Sequence, residues 1–459
     1  MRITFRQLLV SCVTMASLVS VSANAQDNKA APASSKGSST TKASATSRHS
    51  NSSSPGPSVL GQFTPSVEEI SVTTHSLSAT GVTNRTPGGG LMPHQTAPRS
   101  QSGVTRDFIA KQSPSSNITS LVADLPGVTV SSQDPYGMTG DHIQMRGLNE
   151  TQTGYLFEGA PLADPINYAP YTSTLIDTEN LGAVTVSQGS PDLNAPFYNA
   201  VGGQITASAL NPSRKAGGFI DVAGGTHSFN KEFLRLETGN IGNSGIRGFV
   251  SFSHTSYNNG ARGPGGLFRY HVDSKFVKEW GDGNSISAMF SYNRQQATSW
   301  RSPTMAQWKQ YGVGFAYSPT FSPGNASYYK LNQQNLNQQL VVVPMHFTLS
   351  DHLHLQVTPY YVHQFGSSLG GENIPASGGY YGTQQYGDLN RGTAVNGTIL
   401  TSSRDPWNQK TGGLNTSADW NISRSNTFSF GWLYAYTTHE EPSDFTSVSA
   451  HGFGPPGDL

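Results

Sequence analysis

The chain has 459 residues, and its 28 basic side chains balance 28 acidic ones, so no net field recruits nucleic acid and that class of partner is excluded. Charged residues make up only 12%, against 50 glycines and 10% aromatics, which fits short strands and turns better than a helical cytosolic enzyme. Length alone allows two or three ordinary domains or one large membrane barrel.

Residues 1–25 have the make-up of a secretory signal peptide. Arg2 and Arg6 precede the apolar run LLVSCVTMASLVSV, and Ala-Asn-Ala at 23–25 supplies the small side chains that a signal peptidase reads. The single cysteine, Cys12, lies in this segment. LVSC also has the form of a lipoprotein signal, but only a few apolar residues would precede that cut. A chain cut after Ala25 carries no disulfide and no thiol nucleophile. No later apolar run approaches the roughly 18 residues that a membrane helix needs, so a place in a membrane requires strands.

Residues 26–66 are dominated by Ser, Thr, Ala and Lys with almost no aromatics, and are expected to form a disordered tether. The island VEEISVTT at 67–74 follows, with Ile70 and Val72 alternating with polar neighbours. It reads either as a segment that adds a strand to a partner's sheet edge or as a first strand of the next domain.

Residues 105–212 read as a small mixed domain. SPSSNITSLVADLPGVTV offers a capped helix ended by Pro126 and Gly127. HIQMRGL, TGYLFEG, GAVTVSQG and GGQITASA are short strands between glycine turns. The loops SQDPYGMTGD, DPINYAPYT and PDLNAPFYNA separate them.

From residue 217 to 459 the period is two. Ile286, Ala288, Phe290 and Tyr292 oppose Ser285, Ser287 and Ser291; Leu353, Leu355, Val357 and Tyr361 oppose His354, Gln356 and Thr358; Phe428, Phe430, Trp432, Tyr434 and Tyr436 oppose Thr427, Ser429, Gly431 and Thr437. Such strands suit a soluble sandwich or a barrel with a wet interior. Loop lengths favour the barrel. After the first hairpin, tight turns alternate with long connections, the longest spanning about 298–338 and 366–410, as outer-membrane barrels require and sandwiches do not. Trp280, Tyr257, Tyr292, Trp420 and Tyr436 near strand ends suit interfacial girdles.

Catalytic chemistry finds little support. No HExxH, GxSxG or P-loop occurs. SYYK at 327–330 and KTG at 410–412 superficially match serine enzymes that recognise penicillin, but Ser327 falls in a long Asn- and Gln-rich loop. His352 and His354 share a strand face without a placed third ligand, so they read as solvated barrel residues and no metal or cofactor is expected. Arg146 and Glu158 are the one pair that could suggest an acid and a base.

Taken in order, these segments resemble a TonB-dependent outer-membrane receptor of the siderophore-receptor type. EEISVTT looks like a TonB box, centred on Glu69, Ile70, Ser71, Val72 and Thr73. LPGVTV, with Pro126 and Gly127, is similar to the start of the family's plug domain. MRGLNETQTGYLFEGAPL, with Arg146, Gly147, Glu158 and Gly159, is similar to the family's IRG followed by IDGVPL. ENLGAVTVSQGSPDLNAPFYNAVGGQITASA, with Gly189, Gly202 and Gly203, is similar to the family's ERVEVLKGP...YG..AVGGVINI, and GGTHSFN to the glycine turn opening its barrel. Glu158 stands where the family has Asp, Gly189 lacks a basic neighbour, and APFYNA replaces the commoner ALYGS.

The resemblance implies a transmembrane antiparallel β-barrel, incomplete here at about nine strands, preceded by a small mixed α+β plug domain. A plugged transporter has about 22 strands, so the chain is expected to be a fragment, or else the product of a truncated gene. It further implies residence in the outer membrane among its lipids and active uptake of a scarce substrate, foremost a ferric siderophore. The drive would come from TonB and the inner-membrane ExbB-ExbD complex. Cobalamin, a saccharide or another metal chelate are the alternatives within transport, and a passive porin or surface adhesin outside it. Candidate substrate contacts are Tyr136, Met138, Tyr168 and Tyr171 in plug loops and Tyr380, Tyr381 and Tyr386 in the second long loop. Arg146 is a candidate for ion pairs holding the plug in its barrel.

Overall fold

A computed structural model describes residues 87–92, 100–191, 195–197, 199–260, 263–281, 283–449 and 451–452. The signal, the tether and the island at 67–74, with Glu69 to Thr73, lie outside the described residues.

The amino-terminal unit contains β1 (Gln101–Thr105), α1 (Arg106–Ile109), α2 (Ile118–Leu121), β2 (Val128–Ser132), β3 (Asp141–Met145), β4 (Thr153–Phe157), β5 (Ala160–Pro161), β6 (Leu181–Gln188) and β7 (Gly203–Ala209). Five strands form one sheet in the order β1-β6-β7-β4-β5, with β4 parallel to β7, while β2 and β3 form a separate hairpin. The expected helix is present but only four residues long; the Asn117 side chain accepts from Ser120 N, and Ser120 Oγ accepts from Asn117 N. β1 begins ahead of residue 105 and was not foreseen, because QSGVT lacks an apolar alternation long enough to mark a strand. All five residues of β4 are buried: Val184, Ile205 and Phe157 share a core with helix residues Ile118 and Leu121, and with Met289, Leu340 and Tyr360 of the second unit. A sheet covered on both sides loses the two-residue alternation, as here.

The second unit is one antiparallel sheet. Its strands are β8 (Ala216–Gly224), β9 (Asn230–Thr238), β10 (Ile246–Asn258), β11 (Gly266–Trp280), β12 (Asn284–Thr298), β13 (Gln333–Val342) with β14 (Met345–Ser350), β15 (Leu353–Pro375), β18 (Thr398–Ser423) and β19 (Asn426–Glu440). β13 and β14 both lie between β12 and β15 and make one wall strand interrupted at Val343-Pro344, so among the described residues the wall has nine strands, as expected. The hairpin β16 (Tyr380–Tyr381) and β17 (Gln384–Gln385), the helix α3 (Met305–Tyr311) and the short β20 (Asp444–Ser447), which pairs with β18, decorate the long loops and the end of the wall.

Alternation sorts the wall's two faces. Lys231, Phe233 and Arg235 of β9 are buried inward, while Leu234 and Leu236, of the other parity, are exposed outward. Phe252, Phe290, Phe430, Trp432, Tyr434 and Tyr436 are likewise outward and exposed, and Thr358 and Ser291 are inward and buried. A polar inside and an apolar outside is the inverse of a soluble protein and suits lipid around the wall. Tyr257 departs from its expected girdle place: it points inward at 3% exposure and packs on the plug.

The long connections are also corrected. β15 has 23 residues and β18 has 26, so the loop expected over about 366–410 contracts to 376–397. A membrane strand needs only about 9–11 residues. Above the apolar band neither strand face meets lipid, so the apolar alternation stops while the paired backbone continues.

Candidate functional site

The two glycine pairs singled out in the sequence form the same local structure. Arg146 and Gly147 have φ of 51° and 83°, and Glu158 and Gly159 have 51° and 82°. Two successive left-handed residues make the tight turn that matches strand twist, and here they join Met145 to Leu148 and Phe157 to Ala160. Asn, Asp or Gly usually takes the first position, so Arg146 and Glu158 sit there at some conformational cost. The turns aim the two side chains at different targets.

Glu158 reaches the wall. Its Oε2 lies 3.0 Å from Lys275 Nζ of β11, with side-chain exposures of 6% and 5%. Its Oε1 also accepts from Ala209 N at 2.6 Å, tying the turn to the end of the plug. Gly159 lies against Gln356 and Thr358 of β15, and its carbonyl accepts from Asn415 Nδ2 of β18 at 3.0 Å. Arg146 does not take the role foreseen for it. Its side chain is exposed and donates to Ser100 Oγ at 3.0 Å, and among the described residues it forms no ion pair with the wall. The two residues therefore do not form an acid–base pair with each other.

A larger latch was not foreseen. The segment 176–180 presses Asp177, Glu179 and Asn180 against β9, β10 and β11. Lys231 Nζ lies 2.8 Å from Glu179 Oε2 and 3.3 Å from Asp177 Oδ1, and Arg269 Nη2 lies 3.4 Å from the same Asp177 oxygen. Arg235 donates to the Glu179 carbonyl at 2.6 Å and pairs with Glu237 at 2.9 Å. Ser253 Oγ donates to Asp177 Oδ2 at 2.6 Å, and Asn180 Nδ2 donates to Asp273 Oδ2 at 2.8 Å. From behind, Arg106 of α1 donates to the carbonyls of Thr178 and Leu181 at 2.7 and 3.1 Å. The carboxylates of the interface pairs belong to the plug, and their cationic partners to the wall.

One cation shared by two carboxylates splits them. Burial would raise the Asp177 carboxyl, but Lys231 and Arg269 outweigh it and hold the group below the usual carboxylate range. Burial raises Glu179 above its ordinary value, with Lys231 opposing and Asp177 reinforcing the rise. Burial, followed by the field of Arg235, lowers the Arg106 guanidinium to about 10. Donor atoms of Asp177, His271 and Asp273 lie within 4.8 Å of one another. Lys231 and Arg269 already balance the charge of Asp177, and His271 Nε2 lies 2.8 Å from Asp273, so the group forms part of an ion-pair network. His352, by contrast, falls in the turn before β15 rather than on a strand with His354.

The foreseen substrate residues separate into groups. Met138 is 3% exposed and packs with Phe229, Tyr257, Leu267 and Ala297, so it is a seat for the plug rather than a contact open to a ligand. Tyr136 stacks on Phe229 with ring centroids 4.3 Å apart, and Tyr257 OH donates to Asp134 Oδ2 at 2.6 Å. Tyr168 is 36% exposed with φ of 59°. Tyr171 OH accepts from Asn167 at 2.9 Å, and burial raises its hydroxyl. Tyr380 and Tyr381 are 66% and 60% exposed; Tyr381 donates to the Ser443 carbonyl and Tyr386 to that of Pro375. Only Tyr168, Tyr380 and Tyr381 are exposed side chains of this set.

The foreseen glycines hold close approaches. At Gly203, φ is 128° and a Cβ would fall 2.1 Å from the Ser187 carbonyl oxygen. At Gly189 it would meet Arg146 Nη1 at 2.9 Å, and at Gly202 the Gln152 carbonyl at 3.1 Å. These contacts lie where β6 and β7 cross the turn of Arg146.

Comparison with known proteins adds the following. A family model described as the TonB-dependent Receptor Plug Domain matches residues 93–203. Among solved structures, the chain is similar to the pyoverdine outer membrane receptor FpvA from Pseudomonas aeruginosa PAO1 bound to pyoverdine, at 13% identity over 81% of this chain and 52% of that one, with a TM-score of 0.56. It is similar to the ferric citrate transporter FecA in its unliganded form, at 13% identity over 79% and 50%, TM-score 0.56. It is also similar to the ferric-catecholate import receptor Fiu from E. coli K12 in its open form, at 14% identity over 80% and 54%, TM-score 0.54. The chain spans about half the length of these structures. No curated protein matches it by sequence comparison. At these identities the structural likeness establishes the fold, a plug domain held against a barrel wall.

Proposed function

We propose that this chain, which carries a match to the TonB-dependent receptor plug domain at 93–203 and shares the fold of solved outer-membrane receptors, belongs to that family and takes part in active uptake of a scarce substrate across the outer membrane. The substrate of this reading is a ferric siderophore. TonB engages the box at 67–74 and, with ExbB-ExbD, couples uptake to the inner-membrane proton gradient. The chain is not an enzyme in this reading.

The observation that carries it is the buried plug–wall latch. A passive pore has no need of a plug fastened by Glu158–Lys275 and Glu179–Lys231, nor an adhesin of a lumen filled this way. Buried pairs of this kind balance a desolvation penalty against a strong attraction, so they hold a plug firmly while intact yet add little net stability. That balance suits a gate that must stay closed and still be moved by an external drive. The siderophore assignment is supported by the structures of similar fold, described as a pyoverdine receptor, a ferric citrate transporter and a ferric-catecholate import receptor. Another of similar fold is described as a copper transporter, which keeps a different metal cargo as a second reading.

The test is deletion of residues 68–74 in cells that depend on the receptor. Uptake of the labelled substrate should vanish, and uptake that persists would sink the active mechanism. Transcript levels that ignore iron and follow copper or a sugar would remove the siderophore.

A further inference from the structure

The plug meets the wall by two chemically different faces. On β9, β10 and β11 the contacts are the buried ion pairs of Asp177 and Glu179. From β13 to β19 they are uncharged on the wall side. Gln338, Gln364, Gln409 and His439 stand directly opposite one another in register across four strands. Gln364 Nε2 donates to Gln338 Oε1 at 2.9 Å, Gln409 Nε2 lies 3.4 Å from Gln364 Oε1, and His439 Nδ1 lies 3.0 Å from Gln409 Oε1. The plug touches this ladder where Thr174 Oγ1 donates to Gln338 Oε1 at 2.9 Å and where Asp164 Oδ2 accepts from Gln409 Nε2 at 3.1 Å. Gln338 is 1% exposed, and its Nε2 donor is buried without a hydrogen-bond partner.

We propose, resting on the transport reading above, that the plug parts from the wall on its β13–β19 side while its β9–β11 side stays fastened, and that the amide ladder lines the path of a substrate bearing hydroxyl or amide groups. Two physical arguments support it. Separating a buried ion pair leaves uncompensated charge on both partners, which costs more than exchanging for water the Thr174 hydrogen bond or the single neutral donor that Gln409 gives the Asp164 carboxylate. Under a common load the amide face therefore opens first. Each amide also presents a donor and an acceptor, so the ladder can pass a hydroxyl or amide group from rung to rung, and the unpaired Gln338 Nε2 offers it a free donor.

Introduced thiols test this, because Cys12 is the only cysteine and precedes the predicted cut. Gln364→Cys and Gln409→Cys report the amide face; Ser253→Cys and Ser251→Cys, the latter at a hydroxyl that accepts from Asn180 Nδ2 at 2.7 Å, are near-isosteric changes that report the latch face. Each is exposed to a membrane-impermeant maleimide in energised cells given substrate, with residues 68–74 present or deleted. Labelling at Gln364→Cys and Gln409→Cys should rise several-fold only with 68–74 present, while Ser251→Cys and Ser253→Cys stay protected. A parallel rise on both faces means that the plug leaves as a unit and overturns the proposal, as does a rise confined to the latch face. No rise at either face, with uptake still dependent on 68–74, overturns it while leaving the transport reading intact. Uptake indifferent to the deletion removes the transport reading and this proposal with it.

Discussion

Glu158 of the plug and Lys275 of the wall meet at 3.0 Å, with both side chains almost fully buried. A left-handed turn presents the glutamate and the inward parity of β11 presents the lysine. Removing one partner leaves a buried charge alone, a loss of about 3–5 kcal/mol, whereas removing both costs much less. Glu158→Gln and Lys275→Met should each make the plug more sensitive to protease in detergent, and the double variant should recover most of the resistance. Additive losses in the double variant would show that the two side chains do not act as a pair.

The glycines of the plug should divide by what surrounds them. Gly203→Ala drives a Cβ to 2.1 Å from Ser187 O at φ of 128°, while at Gly147 nothing lies within 4 Å. The Gly147→Ala penalty is the left-handed strain alone, about 1–2 kcal/mol. Gly203→Ala should lower the thermal midpoint clearly more; equal shifts would mean that the β6–β7 crossing relaxes freely.

The latch has an acid dependence with a definite sign. The Glu179 carboxyl is raised in the folded plug, so its contribution is fully present below its unfolded value near 4.5 and is lost as pH rises through the raised value. Asp177 is depressed, so its contribution is present above about 3.8 and is lost only in stronger acid. Plug stability should therefore improve on acidification from neutral pH toward 4.5 and fall below about 3.8. Thermal midpoints from neutral pH down to well below the ordinary Asp177 value of 3.8 measure this, and Glu179→Gln should flatten the upper arm; an unchanged upper arm assigns the effect elsewhere.

Substrate affinity should follow exposure. Alanine at Tyr168, Tyr380 or Tyr381 should weaken binding of the labelled substrate while leaving the melting temperature unchanged. Met138→Ala should act in the opposite way, because a buried methionine truncated to alanine costs about 2–5 kcal/mol of packing. Loss of binding by Met138→Ala without loss of stability would restore it as a contact.

The apolar exterior can be tested at Phe252, which is 48% exposed in the middle of β10. Phe252→Arg faces lipid and should lower stability in a bilayer by about 2–4 kcal/mol. The same change should cost little in a mild detergent that admits water. Equal effects in both would argue against a lipid-facing wall.

The sequence by itself determined much of this protein. Two-residue alternation in β12, β15 and β19 marked the wall strands, and alternate short and long connections favoured a barrel over a sandwich, because side-chain period and loop length can be read directly along the chain. Gly147 and Gly159 were legible for the same reason: a left-handed turn is specified by the residues that make it. The extra length of β15 and β18 was not legible, since strands standing clear of lipid carry no apolar alternation. Nor were the partners of charge. Arg146, not Glu158, was the candidate to hold the plug, and Lys231, Arg235, Arg269 and Lys275 were not singled out at all. Ion pairing depends on which side chains the closed plug brings within a few ångströms, across sequence separations as long as the 117 residues between Glu158 and Lys275. Only the tertiary structure decided that Glu158 enters the wall, that Arg146 stays outside it, and that the plug is fastened by ions on one face and by amides on the other.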